Sequence, residues 1–333
     1  MGRRRSKRDL VGRLLTALAF STLAATPLAT MAGASTAPVT WQAGAGTATK
    51  DQGVQVSAFL PNDLTVDVGD TVNWTVGSGE FHTVTFLSGN PAPPLIVFTP
   101  TGPAFNPDAV APAGGPTYDG TGISNSGLLF QGQQHSVTFT APGNYPFVCL
   151  IHADMKGLLH VQAAGSPYPR TQAQLDVQAR VTGNHLAAQG RNLEARTLAA
   201  TRSSSRTGIA VGAGALLTDT ATVSIMRFLP GRLVIHAGQT IEWQNADPET
   251  PHTITFGAEP PGGPLGAFAP SGVDAPGHAT LSSTTQAVNS GVIGANLPFG
   301  TGFSTTFATA GTYTFICALH DDLGMKGTIV VLP

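Results

Sequence analysis

Residues 145–157 read YPFVCLIHADMKG, and residues 313–327 read YTFICALHDDLGMKG. These stretches contain the only cysteines of the chain, Cys149 and Cys317, and a histidine follows each cysteine at the third position. Before each cysteine, tyrosine and phenylalanine occupy alternate positions, which places the rings and the cysteine on one face of a β-strand. Both stretches therefore predict a strand that ends in a core-facing cysteine, followed by a short loop rich in metal-binding side chains.

The pattern extends upstream, so the chain contains a duplicated domain. His82 begins the segment HTVTF, and His252 begins the segment HTITF, 170 residues later. The tripeptide FLP at residues 59–61 recurs at residues 228–230, an offset of 169. Solenoid repeats are much shorter, about 20–50 residues. A period this long predicts two tandem domains of the same kind.

Residue types that bind metals recur in the same order in both repeats. The first set is His82, Cys149, His152 and Met155, and the second set is His252, Cys317, His320 and Met325. Two imidazoles, a thiolate and a weak thioether form the trigonal, soft-donor site that suits copper in one-electron transfer. Taken singly, each cysteine could be a small buried side chain and each methionine a gap filler. Their joint recurrence favours two metal sites. Zinc is the alternative metal, because Asp154, Asp321 and Asp322 are close in sequence, although a thioether is not among the usual zinc ligands.

The N-terminus has the pattern of an export signal. Six basic residues among the first 13 are followed by an apolar stretch to about residue 28, and Ala32-Gly33-Ala34 offers a small-residue cleavage site. We predict a signal peptide at residues 1–34 and a secreted or periplasmic mature chain without a stable membrane span; an uncleaved anchor is the alternative. Its removal leaves 11 basic and 18 acidic residues, a net charge of −7, which argues against nucleic acid as a partner.

Composition and periodicity predict an all-β protein in two domains. The chain has 333 residues with 40 glycines, 25 prolines and 11% charged residues, against a typical charged fraction of about 25%. This composition favours short strands and turns. We place the domains at residues 52–163 and 218–333. The segment between them, residues 164–217, is predicted to contain a helix, because alanine or leucine recurs every seven residues from 179 to 200. Two glycines within that pattern favour a flexible linker instead.

At this point the chain resembles the cupredoxins, the plastocyanin/azurin family of blue copper proteins. The motifs that carry the resemblance are VGDTVNW, FHTVTF and YPFVCLIHADMKG in the first repeat and AGQTIEW, PHTITF and YTFICALHDDLGMKG in the second. The resemblance implies two Greek-key β-sandwiches in tandem and one type 1 copper in each. It also implies electron exchange with a redox partner protein through the more exposed second histidine of each set, His152 or His320. One departure is the residue after the first histidine, often asparagine in the family and here Thr83 or Thr253. A hydroxyl can supply a similar hydrogen bond to the ligand loops.

Two-domain cupredoxins also include nitrite reductases and small laccases, which add a catalytic copper held by histidines beside the cysteine or in His-x-His pairs. Here Val148 and Leu150 flank the first cysteine, Ile316 and Ala318 flank the second, and no His-x-His sequence occurs. The sequence therefore favours an electron carrier over an enzyme. A copper-dependent oxidoreductase and a copper-sequestering protein are the alternatives. The sequence specifies neither the redox partner nor the oligomeric state.

Overall fold

Short strands with alternating buried and exposed residues form two successive β-sandwiches. The computed structural model describes residues 37–100, 102–204, 206–295 and 300–333, apart from the side chains of residues 102, 103 and 264. The predicted signal peptide at residues 1–34 lies outside the described residues. Within them, the predicted all-β class with two tandem sandwiches is confirmed.

The elements of the two repeats correspond closely. The first repeat contains β1 (Thr40–Ala48), β2 (Val54–Leu60), β3 (Asp63–Asp67), β4 (Thr71–Gly77), β5 (Thr85–Phe86), β6 (Ile96–Thr99), β7 (Gly102–Phe105), α1 (Pro107–Val110), β8 (Thr117–Tyr118), β9 (Ser124–Asn125), β10 (Gln134–Phe139), β11 (Gly143–Val148) and β12 (Lys156–Gln162). A long helix, α2 (Gln172–Ser204), follows. The second repeat contains β13 (Gly208–Thr218), β14 (Ala221–Ile225), β15 (Phe228–Leu229), β16 (Arg232–His236), β17 (Thr240–Ala246), β18 (Thr255–Phe256), α3 (Gly263–Gly266), β19 (His278–Leu281), β20 (Val288–Asn289), β21 (Gly302–Phe307), β22 (Gly311–Ile316) and β23 (Lys326–Leu332).

One sheet of each sandwich carries the ends of the ligand-bearing strands. In the first repeat its order is β3-β12-β11-β5-β9, and in the second it is the equivalent β16-β23-β22-β18-β20. The other sheet of the first sandwich contains β1, β4 and β10, and that of the second contains β13, β17 and β21. Both β1 and β13 begin before the predicted domain limits, and those limits stay a prediction.

Aromatic rings fill the space between the two sheets of each sandwich. Trp74 is fully buried and packs against Phe147 with ring centroids 5.5 Å apart. Trp243 and Phe315 form the equivalent pair in the second repeat at 4.8 Å. Pairs of this kind contribute about 0.5–1.5 kcal/mol beyond the burial of their area. Because each phenylalanine lies two residues before a cysteine, this packing also fixes the strand that ends in that cysteine.

The two sandwiches share one continuous sheet. Strand β2 pairs antiparallel with β14, with Val54 opposite Ile225 and Val56 opposite Val223. Near one end of the ladder Gln55 lies opposite Ser224, and the offset of 169 residues makes these two positions equivalent in the repeats. The repeats are therefore related by a local twofold axis through this pair, as in a self-complementary dimer interface.

Helix α2 packs across the joint between the sandwiches, which confirms the predicted helix. Leu175 and Leu186 are buried on its inner face. A Cβ added at Gly183 would lie 3.3 Å from the Leu60 side chain, and one added at Gly190 would lie 2.3 Å from Val54 Cγ1. The glycines that weakened the helix prediction are therefore the positions where the helix backbone comes closest to the sheet. None of the helices in the described ranges is both apolar and long enough to cross a bilayer.

Candidate metal centres

Neighbouring strands bring the first histidine and the cysteine of each repeat together. Strand β5 pairs antiparallel with β11, and β18 pairs in the same way with β22. His82 lies just before β5 and Cys149 just after β11, so antiparallel pairing places these residues side by side although 67 positions separate them. His252 and Cys317 occupy the same places around β18 and β22.

Three donor atoms converge in the first repeat. The distances are 3.7 Å from Cys149 Sγ to His82 Nδ1, 3.7 Å from Cys149 Sγ to His152 Nδ1, and 3.1 Å between the two imidazole nitrogens. All three residues are buried. The cysteine is a free thiol.

The second repeat repeats this geometry closely. The distances are 3.7 Å from Cys317 Sγ to His252 Nδ1, 3.5 Å from Cys317 Sγ to His320 Nδ1, and 3.1 Å between the imidazole nitrogens. All three residues are buried here as well. In the described part of the chain, these two triplets are the groups of three or more histidine, cysteine or acidic side chains with convergent ligand atoms.

The two methionines lie at the base of the ligand loops. Met155 and Met325 are completely buried. The backbone N–H of Cys149 donates to the Met155 carbonyl at 2.9 Å, and that of Cys317 donates to the Met325 carbonyl at 3.0 Å. Each loop is thus closed by a hydrogen bond between the cysteine and the methionine. Axial ligation by the two thioethers stays a prediction.

A threonine ties the two ligand segments of each site together. Thr83 Oγ1 accepts a hydrogen bond of 2.8 Å from the Leu150 N–H, and Thr253 Oγ1 accepts one of the same length from Ala318. The backbone N–H groups of Thr83 and Thr253 point at the sulfurs, at 3.4 and 3.3 Å. The hydroxyl therefore supplies the cross-link expected at this position, and the N–H groups stabilise thiolate charge.

Burial and hydrogen bonding favour the forms of the side chains that bind metals. Burial lowers the pKa of His82 to about 3 and also lowers the pKa of His252. Both imidazoles are therefore neutral near pH 7, as a metal ligand must be. Burial raises the pKa of the Cys149 thiol, but contacts with His152 and the Thr83 N–H outweigh burial and lower the pKa overall.

A glycine with a positive φ presses against the back of each first histidine. Gly46 (φ 71°) and Gly212 (φ 73°) lie so close that an added Cβ would be 2.3 Å from Nε2 of His82 or His252. In the first site Ser78 Oγ also holds His82 Nε2 at 2.7 Å. Neither glycine was singled out from the sequence, because they precede their histidines by 36 and 40 residues. The sequence feature that marks these glycines is the tripeptide GAG, which occurs at residues 44–46 and again at residues 212–214.

Comparison with known proteins agrees with this geometry. The family model for copper binding proteins of the plastocyanin/azurin family matches residues 47–162 and 215–332. The chain belongs to this family. Plastocyanin from Scenedesmus fuscus is 36% identical over 104 residues, which cover 31% of this chain and 85% of that protein. Plastocyanin B'/B'' from Nicotiana tabacum is 30% identical over 106 residues, 32% of this chain and 88% of that protein. Among solved structures, the oxidized form of plastocyanin from Dryopteris crassirhizoma is 24% identical and covers 32% of this chain and 88% of that chain, with a TM-score of 0.21.

The donor sets fit type 1 copper, one ion in each domain. Bonds of about 2.0 Å to nitrogen and 2.3 Å to sulfur, as in zinc sites, would separate donors in a trigonal plane by about 3.5–3.7 Å. The observed separations of 3.1–3.7 Å are close to these values. Asp154, Asp321 and Asp322 belong to neither cluster of convergent donors in the described part of the chain. Asp154 pairs with Lys156 at 3.2 Å, and Asp321 pairs with Lys326 at 3.1 Å.

The second histidines face the interior of the protein rather than solvent. His152 is 3% exposed and His320 is 7% exposed, so each is only slightly more exposed than its completely buried first histidine. The second histidine is thus the more exposed one in each site, and electron exchange through it stays a prediction, but neither ring is open to solvent. The reason is that the two sites face each other across the joint, and Glu80 lies between His152 (3.9 Å) and His320 (3.4 Å).

Proposed function

We propose that this protein transfers single electrons through two type 1 copper sites. The observation that carries the proposal is the pair of preformed His–Cys–His clusters, whose donor atoms lie within 3.7 Å of one another in both repeats. The resemblance to plastocyanins supports the same conclusion. The eight residues predicted from the sequence are proposed as the ligands: His82, Cys149, His152, Met155, His252, Cys317, His320 and Met325.

Bound copper supplies a one-electron couple between Cu(II) and Cu(I). The protein contributes a rigid and dry set of donors. Thr83 and Thr253 cross-link the ligand segments. The glycines at 46 and 212 pack so closely on the first histidines that these rings cannot move away from the other donors. Since the donors are held in place by packing, we expect them to move little when an electron arrives or leaves.

We further propose that the chain works outside the cytoplasm and exchanges electrons with a partner protein. The basic and apolar N-terminal sequence supports export. One relative is named a chloroplastic plastocyanin, which is compatible with a protein that acts after crossing a membrane. The net charge of −7 for residues 35–333 favours attraction to a basic partner surface.

The test is a copper titration of the mature protein followed by visible spectroscopy and metal analysis. We expect an intense band near ~600 nm, bleached by ascorbate, with about two copper ions per chain. Cys149→Ser and Cys317→Ser should each remove one copper and part of the band, and the double variant should be colourless. A wild-type protein that binds copper without this band would refute the proposal.

Two further assays separate the alternative functions. Copper-dependent consumption of O2 or nitrite with ascorbate as reductant would indicate an oxidoreductase. Copper that binds but exchanges electrons with ascorbate only over hours would indicate sequestration. A rapid bleaching without consumption of either acceptor is the result expected of a carrier.

A further inference from the structure

A buried carboxylate lies between the two copper sites. Glu80 is 6% exposed, and its two oxygens face different repeats. Oε2 lies 3.9 Å from His152 Nε2, and Oε1 lies 3.4 Å from His320 Nε2. The ring nitrogens therefore lie at most about 10 Å apart, the two gaps plus the width of one carboxylate. Both histidines use Nδ1 toward the sulfur, so Nε2 is the free nitrogen of each ring.

The segment that carries Glu80 is held firmly at the joint. Ser78 Oγ donates to the Glu80 carbonyl at 3.1 Å, and the Gly79 N–H donates to Gln55 Oε1 at 2.8 Å. Gln55 and Ser224 form the residue pair through which the local twofold axis passes. An added Cβ at Gly79 would lie 2.4 Å from Leu323, one of the residues between His320 and Met325 in the longer second ligand loop. The position of the carboxylate is therefore set by both repeats together.

The contacts of a glutamate with both second histidines come from the first repeat. Glu249 lies three positions before His252, whereas Glu80 lies two positions before His82. Glu249 accepts a hydrogen bond from Thr222 Oγ1 at 2.5 Å. In the described part of the chain, the ion pairs of a carboxylate with a ligand histidine both involve Glu80. The glutamate that precedes the first histidine thus contacts the second histidines from the first repeat, whereas that of the second repeat binds Thr222.

We propose that Glu80 is a positioning residue that holds the imidazoles of His152 and His320 and thereby completes a short path for electrons between the two copper sites. This inference rests on the proposed function. With Nδ1 of each ring bound to the metal, Nε2 carries a proton and is a donor. Neither contact, at 3.9 and 3.4 Å, is a hydrogen bond, so the carboxyl group acts on both rings electrostatically. The step moves one electron from the reduced site, which is oxidised, to the oxidised site, which is reduced, and no atom or proton is transferred.

Three features support a path rather than a merely structural contact. The path consists of one carboxylate between two ligand rings. Both second histidines, the expected exits toward a partner, are turned toward each other. The second ligand loop, whose Leu323 lies beside Gly79, is the longer one. A chain arranged in this way passes an electron internally between two sites of different loop length.

The test uses the full mature protein loaded with two copper ions. One site is reduced by a short pulse of reductant, and the rate of equilibration with the second site is followed in the visible band. Glu80→Gln keeps the shape but removes the ionisable group that faces both rings. We expect the rate to fall about tenfold, the factor that matches the loss of one charge-assisted polar contact. Glu242→Gln, a change at an exposed glutamate on β17, is the control, and its rate should equal that of the wild type.

A second measurement does not depend on electron transfer. In the fully reduced, diamagnetic protein, the Nε2–H resonances of His152 and His320 should both shift in Glu80→Gln and stay unchanged in Glu242→Gln. If Glu80→Gln does not fold, Glu80→Asp keeps the charge and shortens the reach by one methylene, and the same loss is expected.

The outcomes distinguish this inference from the proposed function. Two intact blue sites with an unchanged rate and unchanged resonances in Glu80→Gln would overturn the inference and leave the proposed function standing. A wild type with two blue sites that do not equilibrate within the molecule would do the same. Absence of the blue band from the wild type would overturn both.

Discussion

The contact between Gly46 and His82 gives a sharp test of how the first copper site is built. At Gly46 φ is 71°, and a Cβ there would lie 2.3 Å from His82 Nε2 and 2.4 Å from Ser78 Oγ. Ordinary contacts between carbon and its neighbours are about 3.5 Å. Gly46→Ala must therefore displace the imidazole or the serine by about 1 Å and break the hydrogen bond of 2.7 Å between them.

The expected cost has two main parts. A non-glycine residue in the left-handed region costs about 1–2 kcal/mol. Loss of the hydrogen bond between Ser78 and His82 costs about 0.5–1.5 kcal/mol. We expect Gly46→Ala to lower the free energy of unfolding of the copper-free protein by about 1.5–3.5 kcal/mol. Because the residues that orient a ligand histidine are disturbed, copper affinity at this site should fall about 10–100-fold.

The measurement is best made in a Cys317→Ser background, so that only the first site gives the blue band. Denaturant unfolding of the copper-free protein gives the stability, and competition with a copper chelator gives the affinity. Gly44→Ala is the matched control, since its Cβ would meet Leu60 at 3.4 Å or more. Equal stability and equal affinity for the Gly46 and Gly44 variants would refute the reasoning.

Three further predictions follow from other contacts. Thr83→Val leaves the Leu150 N–H without its acceptor, so the free energy of unfolding should drop by about 1–3 kcal/mol in a denaturant titration; Thr83→Ser should restore it, and a neutral valine variant would contradict the cross-link. Gly190→Ala should destabilise the protein, although the same change in an exposed helix stabilises by about 1 kcal/mol, because the methyl would lie 2.3 Å from Val54; a raised melting temperature would show that the helix does not pack as closely as described. Burial lowers the pKa of His82 from 6.5 to about 3, so as the pH falls the unfolded chain binds this proton at a higher pH than the folded chain does. The stability that the copper-free protein gains from keeping His82 neutral should be complete above pH 6.5 and lost by about pH 3, on the order of 5 kcal/mol. His82→Gln should reduce this pH dependence of the free energy of unfolding, and an unchanged pH dependence would contradict the prediction.

Much of the candidate site was readable in the sequence, because ligand identity and strand periodicity are local properties. The cysteines, their following histidines and the methionines lie within nine residues of each other in each repeat, so their spacing survives as a motif. The upstream histidines were found through the repeat itself. The interdomain helix was only half predicted. Gly183 and Gly190 read as helix breakers in sequence, whereas in the structure they allow the helix to approach Leu60 and Val54.

By itself, the sequence determined the duplication, the all-β class and the donor types that suit copper. The tertiary structure decided how the two copies face each other. Pairing of β2 with β14 joins their sheets, buries His152 and His320, and places Glu80 between them. Glu80 and His320 are 240 positions apart in the sequence, and no local sequence pattern indicates a contact between residues so far apart. The physical reason is that periodicity reports which face of a strand is buried, whereas the partner that buries it is chosen by packing between distant segments.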